Sequence, residues 1–343
     1  MFKDLKTIFS MEQQKIRAAI TAVEAYLPDY ILTNEELSKM VDTNDEWIRT
    51  RVGIEQRHIL KGDKPTSFMA IEACKILMEK HHVDPKTIDG IILSTVTPDM
   101  VFPATASIVA DAIGVVDAIS FDMSVGCAGF LNAFEVAANF IETGKYKRML
   151  VISAEKMSAI LDYTDRNTCP LFGDGAGVAM LEACTDGNGL QDEILRTDGA
   201  GKVHLHMKAG GSLNPASEET VKNKMHYVYQ EGRPVFKAAV SKMADVSVEM
   251  IKRHNLDPNK IWYLPHQANL RIIEACGKRM GMPRERILVN IKDHGNTSDA
   301  TIPILLSDYK HTFKKGDDLV LSSFGAGFAW GALYIKWAVD DMK

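Results

Sequence analysis

Cysteine is scarce. The chain of 343 residues holds five, Cys74, Cys127, Cys169, Cys184 and Cys276, odd in number and scattered. They form no C-x-x-C pair, so neither a disulfide framework nor a zinc site is indicated. A reducing cytoplasm is the expected compartment. A basic excess is also missing: 40 Lys and Arg face 45 Asp and Glu, a net charge of −5. That balance argues against a nucleic-acid partner. No apolar run reaches the roughly 18 residues needed to cross a membrane. The opening "MFKDLKTIFSMEQQKIR" lacks the uninterrupted apolar core of a signal peptide. It reads as a polar extension over residues 1–16, with Met11 as an alternative start. Low-complexity tracts are absent. What remains is 46% hydrophobic and 25% charged residues, the composition of a soluble globular protein, long enough for one large domain or two ordinary ones.

Strand-like runs alternate with helical patterns. "IRAAITAVEAYLP" predicts a strand. "TNEELSKMV" and "TNDEWIRTR" predict short helices, each opened by a Thr-x-x-Glu capping box, Thr33/Glu36 and Thr43/Glu46. Residues 66–80 predict an amphipathic helix. "GIILSTV" and "RMLVISAE" are continuous apolar runs, as expected of buried strands. "AGFLNAFEVAANFIETG" predicts a helix stopped at Gly144. The second half repeats the style, with a helix over about 234–255, the strand "IWYLPHQ", the helix "NLRIIEACGKRMG" and the strand "DDLVLSSFG". One echo supports duplication: "FGDGAGVAMLEA" (172–183) and "FGAGFAWGALYI" (324–335) are each a Gly-rich turn followed by an apolar strand. Two similar βαβ units meeting near 185–190 are expected. "DGNGLQDEILRTDGAGK" has the Gly and Asp content of a linker with surface turns.

One cysteine stands apart. Free cysteine most often simply packs in a core. Cys127, in "SVGCAGF", lies instead at a strand-to-helix junction, where N–H groups and the helix dipole favour a thiolate. Gly126, Ala128 and Gly129 permit a tight turn. Downstream, His266 in "YLPHQANLRII" follows a strand, and His294 and Asn296 lie in the turn "KDHGNTSDA". Cys, His and Asn thus stand at strand ends, where α/β proteins build sites. His204 and His206 in "VHLHMK" read as strand residues, and no metal site is assigned. The order Cys, His, Asn also occurs in papain-like proteases, and His266 lies 139 residues after Cys127, within the spacing seen there. A papain-type cysteine sits near the mature N-terminus, however, and here a complete βαβ half precedes it.

"GCAGF", "PHQANLRII", "HGNTS", "DTNDEWIRTRVGI", "FGDGAG" and "FGAGF" together resemble β-ketoacyl-acyl-carrier-protein synthase III, of the thiolase superfamily, from about residue 17 to the end. The resemblance implies an α/β thiolase-like fold, two duplicated βαβ halves (17–185 and 186–343) in a five-layer αβαβα stack, and a homodimer. It implies condensation of an acyl-CoA primer with malonyl-acyl carrier protein (ACP), releasing CO₂ and CoA and starting fatty-acid synthesis. Neither cofactor nor metal is implied, since both acyl carriers are substrates.

The same resemblance implies roles for single residues. Cys127 takes the acyl group. His266 and Asn296 donate to the enolate left by decarboxylation. The backbone N–H groups of Cys127 and Ala326 hold the second oxyanion. "FGAGF" departs here from a commoner triple glycine, and a positive φ at Ala326 would cost about 1 kcal/mol. Trp47, Arg51 and Arg166 surround the CoA nucleotide, and Asn269 and Phe324 line the inner pocket. Phe102 reaches across the dimer to the partner's acyl pocket, against an alternative of ordinary core packing. Lys237, Arg271, Lys278 and Arg279 form a basic face for acidic ACP. Two other readings stay open: a related acyltransferase or specialised starter synthase, and a non-catalytic partner subunit, which the presence of Cys127 disfavours. The primer is not legible, because candidates differ by a few methylenes.

Overall fold

The computed structural model describes residues 15–340 and Met342. The alternative start at Met11 and most of the expected extension over 1–16 lie outside the described residues. Five strands, β1 (Arg17–Tyr26), β2 (Gly90–Ser94), β3 (Ile119–Met123), β4 (Arg148–Lys156) and β5 (Asp174–Cys184), form one sheet in the order β1-β5-β4-β2-β3. β2 runs parallel to β3 and β4, while β5 is antiparallel to β1 and β4. A second sheet of β6 (Gly189–Thr197), β7 (Trp262–Pro265), β8 (Asp318–Gly325) and β9 (Ala329–Lys336) has the order β7-β8-β9-β6. Its pairing repeats the first: β7 and β8 are parallel, and β9 is antiparallel to both neighbours. The position of β3 is held in the second sheet by a single parallel bridge, Tyr263 to Ile287.

Among the described residues, seven helices run to eight residues or more: α1 (Asp45–Val52), α2 (Thr66–Lys80), α3 (Thr105–Ile113), α4 (Gly129–Glu142), α5 (Gly232–His254), α6 (Leu270–Met280) and α7 (Thr301–Tyr309). α4 and α7 lie between the sheets, where Phe130, Phe134, Ile302 and Leu305 meet Val151 and Leu321. α2 and α3 cover the outer face of the first sheet, and α5 and α6 that of the second. The layers are therefore αβαβα. Strand alternation explains the continuous apolar runs. Ile91 and Leu93 face the outer layer and Ile92 the central one, so both faces must be apolar. Each such fully buried side chain contributes about 1.5–3 kcal/mol.

Two local expectations are corrected. The helix of "TNDEWIRTR" is capped by Asn44, whose side chain accepts from Trp47 N at 2.8 Å. The Thr43/Glu46 box does not form, because Asn44 already satisfies the donor and the helix starts one residue later. At Thr33 only half of the expected box forms: Thr33 Oγ1 accepts from Glu36 N, while the Glu36 carboxylate takes the Tyr30 hydroxyl. The stretch read as a linker holds β6, which pairs along its length with β9. It is the edge strand of its sheet and has mixed burial, with Asp192 and Arg196 reaching His254 and Glu249 of α5.

Candidate active site

Cys127 owes its position to two glycine turns, one at the mouth of each sheet. After β3 the chain passes Gly126 at φ +52, a conformation that L side chains rarely adopt. A Cβ there would also lie 3.0 Å from Ala326 N. The opposing turn leaves β8 at Gly325, where a Cβ would lie 2.5 Å from Cys127 N. Backbone therefore packs on backbone, and the N–H groups of the two turns are brought together. Ser323 Oγ ties them by donating to Cys127 O at 2.6 Å. Ala326 is not among the residues with positive φ, so alanine in the middle of "FGAGF" carries no left-handed strain.

The Cys127 thiol is 3.7 Å from Ser298 Oγ. Burial pushes the thiol up to about 12, against the pull of the Ser298 hydroxyl and of its own N–H. The sulfur therefore rests as a thiol at neutral pH, despite its place at the start of α4.

His266 follows β7 and is fixed by its N–H, which donates to Ser322 O at 2.8 Å. The ring is 2% exposed, and burial pushes its pKa down to about 3. It is a neutral imidazole whose Nδ1 lies 2.6 Å from Thr301 Oγ1. Thr301 Oγ1 also lies 3.0 Å from Ser298 O; Nε2, the ring nitrogen left for chemistry, carries the donor proton when the Thr301 hydroxyl turns to Nδ1. Asn296 is held by its own N–H, donating to Leu171 O at 2.9 Å. Its Oδ1 accepts from Ser298 N at 2.8 Å. That assigns the amide: the oxygen is spent, and the NH₂ is free to donate.

Cys127, His266 and Asn296 line one cavity of about 640 Å³ with Phe324, Trp47 and Arg51. Phe324 is buried against Phe328, with ring centroids 4.8 Å apart. At the exposed side, the Arg166 guanidinium lies 5.2 Å over the Trp47 ring and pairs with Asp42 at 3.0 Å. Asn269 also lines the cavity, but its amide is committed: Oδ1 accepts from Arg271 N and Nδ2 donates to Arg51 O.

Lys237 on α5 and Arg271, Lys278 and Arg279 on α6 are all exposed, on two helices packed together. Arg271 lies over Phe236 and lines the cavity. Arg279 is partly neutralised by Asp245 at 2.5 Å. The sequence reading missed Arg233, which lines the same cavity from the first turn of α5. Its signal was the lone Arg in "EGRPVF". Phe102 is 81% exposed beside Val101 at 87%, so it is not a core residue. His294 is engaged by Asp308 at 3.0 Å and by the His58 ring, outside the cavity. His204 pairs with Glu231 at 3.0 Å. Among the described residues, no group of three or more His, Cys, Asp or Glu could hold a metal ion, and no helix is long and apolar enough to cross a membrane.

Comparison with known proteins agrees with this geometry. Residues 121–199 match the family described as 3-oxoacyl-[acyl-carrier-protein (ACP)] synthase III, and residues 251–337 match its C-terminal domain. The chain is 58% identical over 328 residues to β-ketoacyl-[acyl-carrier-protein] synthase III of Porphyromonas gingivalis, covering 95% of this chain and 98% of that one. It is 54% identical over 332 residues to β-ketoacyl-[acyl-carrier-protein] synthase III 2 of Bacteroides thetaiotaomicron, covering 96% and 99%. The crystal structure of 3-oxoacyl-[acyl-carrier-protein] synthase III from Aquifex aeolicus is similar, with a TM-score of 0.86 and 37% identity over 93% of this chain and 100% of that one. The chain belongs to the β-ketoacyl-ACP synthase III family of condensing acyltransferases, on a thiolase-like fold.

Proposed function

We propose that this chain condenses an acyl-CoA primer with malonyl-ACP to give 3-oxoacyl-ACP, CoA and CO₂, the first step of fatty-acid biosynthesis. The observation that carries the reading is the convergence of Cys127, a neutral His266 and an Asn296 with its NH₂ free, in one cavity. Cys127 attacks the primer thioester and keeps the acyl group, splitting the condensation into two steps. The oxyanion of that step is held by the N–H groups of Cys127 and Ala326. Malonyl thioester then loses CO₂. The enolate oxygen takes hydrogen bonds from His266 and Asn296, which stabilise charge that develops only in the transition state. The enolate carbon attacks the acyl-cysteine and expels the Cys127 thiolate, which takes one proton from solvent to return as the thiol.

Trp47, Arg51 and Arg166 hold the CoA nucleotide, and Asn269 and Phe324 shape the channel to the sulfur. Lys237, Arg271, Lys278 and Arg279 receive acidic ACP. Phe102, exposed in a single chain, is covered by the second subunit of a homodimer and borders the partner's acyl pocket. The halves 17–185 and 186–343 each supply part of the site: the first Cys127, the second His266 and Asn296. The reaction takes place in the cytoplasm and needs neither cofactor nor metal. Incubation with acetyl-CoA and malonyl-ACP should yield acetoacetyl-ACP and CO₂. Acylation of Cys127 without CO₂ release would favour a plain acyltransferase. An absence of any adduct would favour a non-catalytic partner subunit.

A further inference from the structure

Behind Cys127 lies a buried polar group that the reaction above does not use. Glu155, near the end of β4, and Asp299, in the turn before α7, are 0% and 1% exposed. Glu155 accepts from Val96 N at 3.1 Å, from Thr95 Oγ1 at 3.1 Å and from Thr97 Oγ1 at 2.6 Å, and the neighbouring Ser298 hydroxyl pulls its pKa down. Asp299 Oδ2 accepts from Ser94 Oγ. No donor faces Asp299 Oδ1, as expected of an oxygen that itself carries a proton toward Glu155. The group lies directly under the start of α4: a Cβ on Gly129 would lie 2.6 Å from Asp299 Oδ2.

The titratable groups that face this pair are the two carboxyls themselves and Cys127. Their other neighbours are the hydroxyls of Ser94, Thr95, Thr97 and Ser298 and the N–H of Val96. Among the described residues, no Lys, Arg or His pairs with either carboxyl. Two carboxylates in such a place cannot both ionise. Burial, and then the charge of Glu155, hold Asp299 well above the usual range, while burial brings Glu155 up to about 7. Asp299 is therefore the neutral donor and Glu155 the acceptor.

We propose that Ser298, Glu155 and Asp299 form the proton route of Cys127. The thiol gives its proton to Ser298 Oγ while the Ser298 hydroxyl proton passes to Glu155. The thiolate attacks the primer thioester, and the proton held on Glu155 returns through the Ser298 hydroxyl to the departing CoA thiolate. One S–H bond is lost at Cys127 and one is made on CoA, so the enzyme returns to its starting protonation. Asp299 acts as a positioning residue, fixing by its hydrogen bond the pH at which Glu155 can accept. His266 is thereby spared the role of base and keeps its neutral form for the enolate. The inference rests on the proposed role of Cys127.

The test follows single-turnover transfer of radiolabelled acetyl from acetyl-CoA to the enzyme across a range of pH, with iodoacetamide alkylation of Cys127 as a readout free of substrate. Glu155→Gln and Ser298→Ala should slow both at neutral pH by about 10²-fold. Asp299→Ala removes a donor to Glu155, so the acid limb of the acylation profile should move to higher pH. Asp299→Asn, an isostere of the protonated acid, should restore the wild-type limb. If Glu155→Gln does not fold, the Asp299 variants still decide. A limb that is unmoved, moves to lower pH, or is the same in both Asp299 variants overturns the route. Wild-type enzyme that takes up no acetyl would instead sink the role of Cys127.

Discussion

The Ser298 N–H donates to Asn296 Oδ1 at 2.8 Å, and this one bond decides which end of the Asn296 amide faces the cavity. Asn296→Asp keeps the shape and the bond but replaces the NH₂ donor with an acceptor. Both Asn296→Asp and Asn296→Ala should lower CO₂ release from malonyl-ACP by about 10²–10³-fold, the usual cost of one oxyanion donor. Acetyl transfer to Cys127 should be largely kept, since its oxyanion lies at backbone donors. Loss of transfer with decarboxylation intact would reverse the assignment.

The two glycine turns make an asymmetric prediction. Gly325→Ala places a Cβ within 2.5 Å of Cys127 N, and neither backbone can yield without moving the nucleophile. Acylation should fall by about 10²-fold or more, comparable to losing an oxyanion donor. Ala326→Gly should leave it near wild type, because Ala326 is outside the left-handed region. Rapid-quench acylation of the two variants side by side checks this.

Away from the site, Glu24 of β1 and Lys310, just after α7, form a buried ion pair, 3% and 4% exposed. Burial alone would push the Glu24 pKa up, but hydrogen bonds from His81, Lys310 and Lys80 outweigh it and bring the pKa down from 4.5 to about 2. A carboxyl depressed in the folded state stabilises at pH above its unfolded value, and that stability fades as pH falls through the folded one. The window is thus between 4.5 and about 2. The contribution is on the order of 3 kcal/mol. Denaturant unfolding should show wild type losing this amount through the window, with a much smaller acid dependence in Glu24→Gln. Equal acid slopes in the two proteins would contradict it.

Much of this was written in short-range chemistry. Strand alternation and glycine punctuation marked the layers, and Cys127, His266 and Asn296 each stand at a strand end that a local pattern reveals. What the sequence hid is set by contacts between distant segments. Ser298 and Asp299 read as ordinary turn residues until β4 brings Glu155 under them. β6 reads like a linker because it is an edge strand rich in half-exposed polar residues and its pairing with β9 spans more than a hundred residues. Asn44 displaced Thr43 as a cap because of a one-residue difference in where the helix starts. Phe102 has an apolar side chain, and only the fold leaves it in solvent.

The most direct measurement is the mass of the intact protein after incubation with acetyl-CoA, followed by peptide mapping. The account predicts one acetyl adduct on Cys127, its absence in Cys127→Ala, and no effect of replacing Cys74, Cys169, Cys184 or Cys276. An adduct that persists in Cys127→Ala, or a wild-type protein that never gains one, would contradict it.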